Sequence, residues 1–180
     1  MKKLLFAITL LLAFSCGEEK NKTVDENAVA KLNAYEMLQS QEESTRKFIE
    51  DYLRDVNSSN WRSKIEKYLQ PDSEAFLEEH TAFRASVPNY KSTIKHLTVD
   101  GNEAIVWIHI TANYAKSFIF KSEADAYGDN LLNGIEAKNQ ALSWDETWQF
   151  NVVDGKFGEQ WDFLKDNHKI LEDLKATKSP

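Results

Sequence analysis

A chain of 180 residues, 42% hydrophobic and 12% aromatic, is long enough to bury one good core and too short for two ordinary domains. Its formal charge of −7 makes nucleic acid and anionic lipid headgroups poor partners, and its single cysteine rules out an intrachain disulfide.

The first residues read in three parts: Lys2 and Lys3 as a positive start, an apolar stretch from Leu4 to Phe14, and Ala13-Phe14-Ser15 ahead of Cys16. That is the pattern of a cleaved signal peptide, and the apolar stretch is well short of the roughly 20 residues a membrane-spanning helix needs. Loss of Lys2 and Lys3 takes the formal charge from −7 to −9. The Ala-Phe-Ser-Cys junction resembles the lipobox of bacterial lipoproteins, with Phe14 bulkier than the residue usual there. The resemblance implies cleavage after residue 15, a diacylglyceryl thioether on Cys16, and attachment to the cell envelope, at the outer membrane. The other reading is an ordinary secretory signal with a free cysteine near the cut. Glu18-Glu19 either resembles a surface-export signal or is a solvated charge pair.

Residues 16–41 are rich in Glu, Lys, Asn and Asp without sustained apolar periodicity, which predicts a flexible stalk with only transient helix from Val29 to Leu38. The folded domain is expected over 42–175, with 176–180 as a tail. From Glu42 to Val56, the spacing of Phe48, Tyr52, Leu53 and Val56 predicts a helix. Ser58-Ser59-Asn60 then supply turn and cap chemistry for a second helix through Leu69. Pro71 and Asp72-Ser73 stop it and start a third, with Phe76, Leu77, His80, Phe83 and Arg84 at three- and four-residue intervals before Val87-Pro88.

The period then changes to two. Thr93 to Val99 and Ala104 to Tyr114 alternate around Asp100-Gly101-Asn102, and Leu142 to Val153 and Lys156 to Phe163 do so around Asp154-Gly155, which predicts two hairpins. Lys116 to Gly134 is irregular and reads as an insertion over the sheet rim, and Ile170 to Leu174 as a short terminal helix. Helices followed by antiparallel hairpins predict an α+β domain with helices packed on one face of a curved, mostly antiparallel sheet.

Three strings carry a resemblance over about Glu43 to Leu174: His80 to Tyr90, Val99 to Val106, and Phe150-Asn151-Val152-Val153-Asp154-Gly155-Lys156-Phe157-Gly158-Glu159-Gln160-Trp161. They are similar to the SnoaL-like polyketide cyclase branch of the nuclear transport factor 2-like superfamily, whose domains are cone-shaped. The resemblance implies pairing of two copies through the outer sheet face and no cofactor, while four tryptophans in the strands, Trp107, Trp144, Trp148 and Trp161, offer apolar area for a small apolar ligand or a protein partner. Members that catalyse cyclisation use an aspartate just after the Glu-x-Trp strand as general base; at the nearest spacing this chain has Lys165, flanked by Asp162 and Asp166. Asn89 and Phe157 also replace the Asp and Ile usual in the pattern.

Alternation sorts the candidate residues by face. On the second strand Ile105, Trp107, His109 and Thr111 share one face, and Val106, Ile108, Ile110 and Tyr114 the other. On the third, Leu142, Trp144, Glu146, Trp148, Phe150 and Val152 share a face; on the fourth, Phe157, Glu159, Trp161 and Phe163 do. A carboxylate desolvated among indoles is suited to acid or base work, which singles out Glu146; for proton transfer on a carbonyl compound the resemblance implies Asp166 or Asp162 as base, with His109 or Glu146 polarising the oxygen. Trp107, Trp144, Trp148, Glu159, Trp161, His80 and Arg84 are the ligand-binding candidates. The competing account is structural: the tryptophans fill the core, Glu146 and Glu159 pair with His109, Arg84 or lysines, and His80 and Arg84 form an ordinary helix-surface pair. No metal-ligand spacing, phosphate loop or nucleophile elbow is present.

Overall fold

A computed structural model describes residues 25–119 and 131–175. The leader, Cys16, Glu18-Glu19, residues 120–130 of the insertion and the 176–180 tail lie outside the described residues. The chain divides into two units, Met1–Glu36 and Met37–Pro180.

Helix α1 runs from Glu26 to Val56 and so begins well before Glu42, inside the stretch the sequence assigns to a flexible stalk. Asp25 Oδ1 caps it, accepting from the amides of Asn27 and Ala28 at 3.1 and 3.3 Å. Ala, Leu, Lys, Glu and Gln, all good helix formers, follow. Residues 25–41 are all exposed, so this part of the helix buries no face and leaves no periodic trace. Burial starts at Thr45, whose hydroxyl donates to the Gly101 carbonyl at 2.8 Å, and continues through Phe48, Ile49, Tyr52, Leu53 and Val56.

The helix expected through Leu69 is split into α2, Trp61–Ile65, and a 3-10 turn, Glu66–Tyr68. Tyr68 is buried there, and its hydroxyl donates to Asp55 at 2.8 Å. Helix α3, Glu74–Ser86, buries Leu77 and Phe83.

Four antiparallel strands follow: β1 (Lys91–Asp100), β2 (Glu103–Tyr114), β3 (Gln140–Val153) and β4 (Lys156–Lys165), in the spatial order β1-β2-β3-β4. The hairpin turns take left-handed backbone at Gly101 and at Asp154-Gly155, as their sequences predict. Helix α4, Asn167–Leu174, packs on β3 beyond the end of β4.

One sheet face is apolar: Val106, Ile108 and Ile110 are fully buried, whereas Ile105 and Trp107 on the other face are 47% and 46% exposed. The helices meet the buried face through rings. Tyr52 of α1 touches Trp148 and Phe157 at centroid distances of 6.2 and 4.8 Å, and Phe48 touches Phe157 at 5.0 Å. Large edge-on rings act as spacers, and the gap they hold open is the site.

Candidate functional site

A cavity of about 890 Å3 lies between the helices and the concave sheet face, with Tyr52 from α1, Phe76 and His80 from α3, Trp148 from β3 and Trp161 from β4 among its lining. Two charged side chains reach its interior from neighbouring strands, Glu146 and Lys165, which are register partners.

Glu146 is clamped. Trp144 Nε1 donates to its Oε1 and Trp148 Nε1 to its Oε2, each at 2.8 Å. The three residues alternate on one face of β3, so both indoles close on the carboxylate between them. Lys165 Nζ lies 3.8 Å from Glu146 Oε1, an ion pair beyond hydrogen-bond length, and rests 5.4 Å from the ring centres of Phe83 and Trp144. No described residue accepts a hydrogen bond from that ammonium.

His80 stacks on Phe76 at 5.4 Å and meets Trp61 edge-on at 4.9 Å. Burial, aided by the positive charges of Arg84 and Lys165, pushes its pKa down to about 3, so the ring is neutral at physiological pH. Its Nε2 is buried without a hydrogen-bond partner among the described residues, as is Trp161 Nε1. Burial also raises the hydroxyls of Tyr52 and Tyr90, with the charge of Glu146 adding to it. Three more carboxylates line the cavity, the exposed Asp72 and Glu159 on its solvent side and the half-buried Glu79.

Of the residues singled out in the sequence, the structure brings Glu146, Trp148, Trp161 and His80 together in the cavity, with Glu159 at its rim and Trp144 in the wall behind Glu146. Others are placed elsewhere. Trp107, His109 and Thr111 lie on the outer face, because the aliphatic series Val106, Ile108 and Ile110 takes the inner one. Arg84 is in the wall: its guanidinium is sandwiched between Trp61 and Tyr90 at 4.9 and 4.4 Å and donates to the Val56 carbonyl at 3.0 Å. Burial lowers its pKa. Asp162 is exposed opposite Gln149, one residue out of phase with Trp161. Asp166 caps α4, accepting from the Lys169 amide at 2.9 Å, and so points away from the cavity.

Neither aspartate therefore stands where the resemblance would put the general base; the inward position belongs to Lys165. Lys165 was visible in the sequence only as a mismatch, and Tyr52 and Phe76 only as apolar helix positions. The missed signal was phase: Phe157, Glu159, Trp161, Phe163 and Lys165 continue one alternation. Among the described residues no group of three or more His, Cys, Asp or Glu side chains is placed to hold a metal ion.

Comparison with known proteins yields no matching family model and no matching curated protein. Solved structures do match. A Jannaschia protein assigned as a SnoaL-like polyketide cyclase superposes with a TM-score of 0.61 at 12% identity, over 76% of this chain and 95% of its own. A SnoaL-like polyketide cyclase from Agrobacterium tumefaciens gives 0.56 at 10% identity, over 72% and 97%. An epoxide hydrolase from Mycobacterium tuberculosis gives 0.52 at 10%, over 74% and 90%. The domain has the α+β cone fold of the nuclear transport factor 2-like superfamily in its SnoaL-like form. At these identities the likeness defines the fold alone.

Proposed function

We propose that the domain binds a small, uncharged, largely apolar molecule bearing a carbonyl oxygen, and that the protein is held at the bacterial envelope by lipid on Cys16. One observation carries the ligand: the cavity has a donor to spare inside and carboxylates at its rim. Both Glu146 oxygens already accept from indoles, while Lys165 offers an ammonium with no acceptor among the described residues. Asp72, Glu79 and Glu159 oppose the entry of an anion. An acceptor without negative charge, on a body that matches the rings, fits both conditions.

The test is titration of the full chain with prodan, a neutral naphthyl ketone whose emission shifts to the blue in apolar surroundings. Saturable binding with a blue shift is expected, weakened about tenfold or more in Lys165→Met, since a hydrogen bond from a charged donor contributes about 1.5–3 kcal/mol. Absence of saturation, or equal affinity in the variant, would refute this ligand class.

A second reading is cofactor-free proton transfer, in which Lys165 polarises a carbonyl and Glu146 takes the neighbouring proton. The short separation of this acid–base pair favours it, as do the polyketide cyclisation assigned to the Jannaschia neighbour and the epoxide hydrolysis of the mycobacterial one. In deuterated water it predicts exchange of the α-protons of a bound ketone, abolished in Glu146→Gln. Exchange no faster than in buffer would leave binding alone.

Support for the anchor comes from Lys2, Lys3, the apolar run to Phe14 and Cys16. Each buried methylene of the acyl chains contributes about 0.8 kcal/mol, so two chains hold the protein stably at a membrane. Cys16→Ser is expected to release it and remove the lipid mass; continued attachment would contradict the anchor.

A further inference from the structure

The outer sheet face carries a second set of reactive side chains, independent of the cavity. His109 on β2 and Asp145 on β3 are register partners, and His109 Nδ1 lies 2.6 Å from Asp145 Oδ1. Ser143, two residues before Asp145 and therefore on the same face, places its Oγ 3.2 Å from His109 Nε2. The carboxylate can only accept, so Nδ1 carries the proton; in the neutral ring Nε2 then accepts from the Ser143 hydroxyl. A hydroxyl, an imidazole and a carboxylate in this relay have the connectivity of an activated nucleophile.

Ser143 also borders a groove of about 550 Å3 lined by Asn89, Thr111, Asn113, Ala141 and Asp173. Asn113 is the register partner of Ala141, one diagonal step from Ser143, and the small Ala141 side chain leaves room beside the hydroxyl. Beyond the end of β4 the Ser143 amide donates to Asp173 Oδ2 at 2.8 Å, while Lys169 pairs with the other carboxylate oxygen.

We propose that this groove is a second site, at which Ser143 is acylated by small, uncharged carboxylic esters, with His109 as general base and Asp145 as the residue that positions it. His109 Nε2 takes the hydroxyl proton as Ser143 Oγ bonds to the ester carbonyl carbon. The carbon–oxygen bond to the alcohol then breaks, and His109 gives the proton to the departing oxygen. Water attacks the acyl-serine, its proton passing through His109 back to Ser143 Oγ as the carboxylic acid leaves. The side-chain amides bordering the groove, on Asn89 and Asn113, are the donors for the tetrahedral oxyanion, because the Ser143 amide is committed to Asp173. Asp145 and Asp173 flank the hydroxyl, so a negatively charged ester is disfavoured.

The test uses the purified full chain in detergent with p-nitrophenyl acetate, together with a biotinylated fluorophosphonate mapped by peptide mass spectrometry. Expected are a phosphonate adduct on Ser143 and ester hydrolysis at least tenfold above that of Ser143→Ala and His109→Gln, each checked for an unchanged circular dichroism spectrum. Asp145→Asn should lower kcat with KM unchanged, and Asp145→Glu should restore part of it. No adduct on the wild-type chain, an adduct mapped to another residue, or hydrolysis unaltered in Ser143→Ala would overturn the proposal.

Discussion

Replacing Glu146 by Gln tests whether the indole clamp organises the cavity. The wild-type carboxylate accepts from Trp144 on one oxygen and Trp148 on the other, and its side chain is only 11% exposed. A carboxamide has one oxygen, so one indole N–H keeps an acceptor and the other faces an NH2 group. That loses one hydrogen bond to a charged group, about 1.5–3 kcal/mol, and strands a covered donor at about 1–3 kcal/mol, two figures that overlap because the donor is the same. Adding the weakened pairing with Lys165, the cost is about 2–4 kcal/mol, or a fall in Tm of roughly 10 °C for a domain of this size. Thermal unfolding followed by near-ultraviolet circular dichroism reads both the loss and the freed indole. Glu146→Gln within about 0.5 kcal/mol of wild type would mean that the clamp does not hold the two tryptophans.

His80 supplies a pH dependence. Its folded pKa of about 3 lies below the 6.5 of an ordinary imidazole, so the stability it contributes is complete above pH 6.5 and is lost as pH falls toward 3, at up to about 1.4 kcal/mol per pH unit. Urea denaturation at pH 6.5 and 5 should give a smaller difference for His80→Phe than for wild type; equal slopes would refute a neutral buried imidazole. Asp55 is a buried hub: desolvation raises its pKa, but hydrogen bonds from Lys67 and Tyr68 outweigh that and lower it. Asp55→Ala leaves the Tyr68 hydroxyl without its acceptor and is expected to cost about 2–3 kcal/mol in chemical denaturation. Gly158 lies beneath the Asn151 amide, with only 2.1 Å between a Cβ built there and Asn151 Oδ1. Gly158→Ala should therefore destabilise by about 1–2 kcal/mol, and Asn151→Ala should recover most of that in a double-mutant cycle; strict additivity would point to another cause.

Alternation was enough to sort the β-strand side chains into two faces, because the period is two and each strand is long. It did not say which face of β2 turns inward, since Trp107 and Ile105 make the outer face apolar as well; the unbroken aliphatic series Val106, Ile108 and Ile110 was the better guide, and His109 went out with Trp107. On β4 the phase was lost where Phe163 and Leu164, 48% and 77% exposed, stand side by side at the open end of the strand. Ending the strand at Phe163 hid Lys165, the side chain that most changes the chemistry of the site. Helical spacing placed His80 and Arg84 on one face, yet four residues of rise separate a ring that lines the cavity from a guanidinium that supports its wall. The sequence also suggested charged partners for Glu146, where the principal donors are indoles two residues either side.

The aromatic content explains why this sheet carries a cavity instead of a closed core. Tyr52 and Phe48 reach down from α1 while Trp148, Phe157 and Trp161 reach up, and most of these pairs meet edge-on at 4.8–6.2 Å. Rigid rings in that geometry cannot collapse as aliphatic side chains would, so they hold the helices off the sheet. The charges inside follow from the same spacing. A carboxylate that deep is tolerated because the spacer ring of Trp148 and its strand neighbour Trp144 both turn N–H groups onto it, and once Glu146 is held, Lys165 opposite it offsets its charge while keeping its own donors free. The rings that set the size of the cavity thus also set which atom of a ligand it can receive.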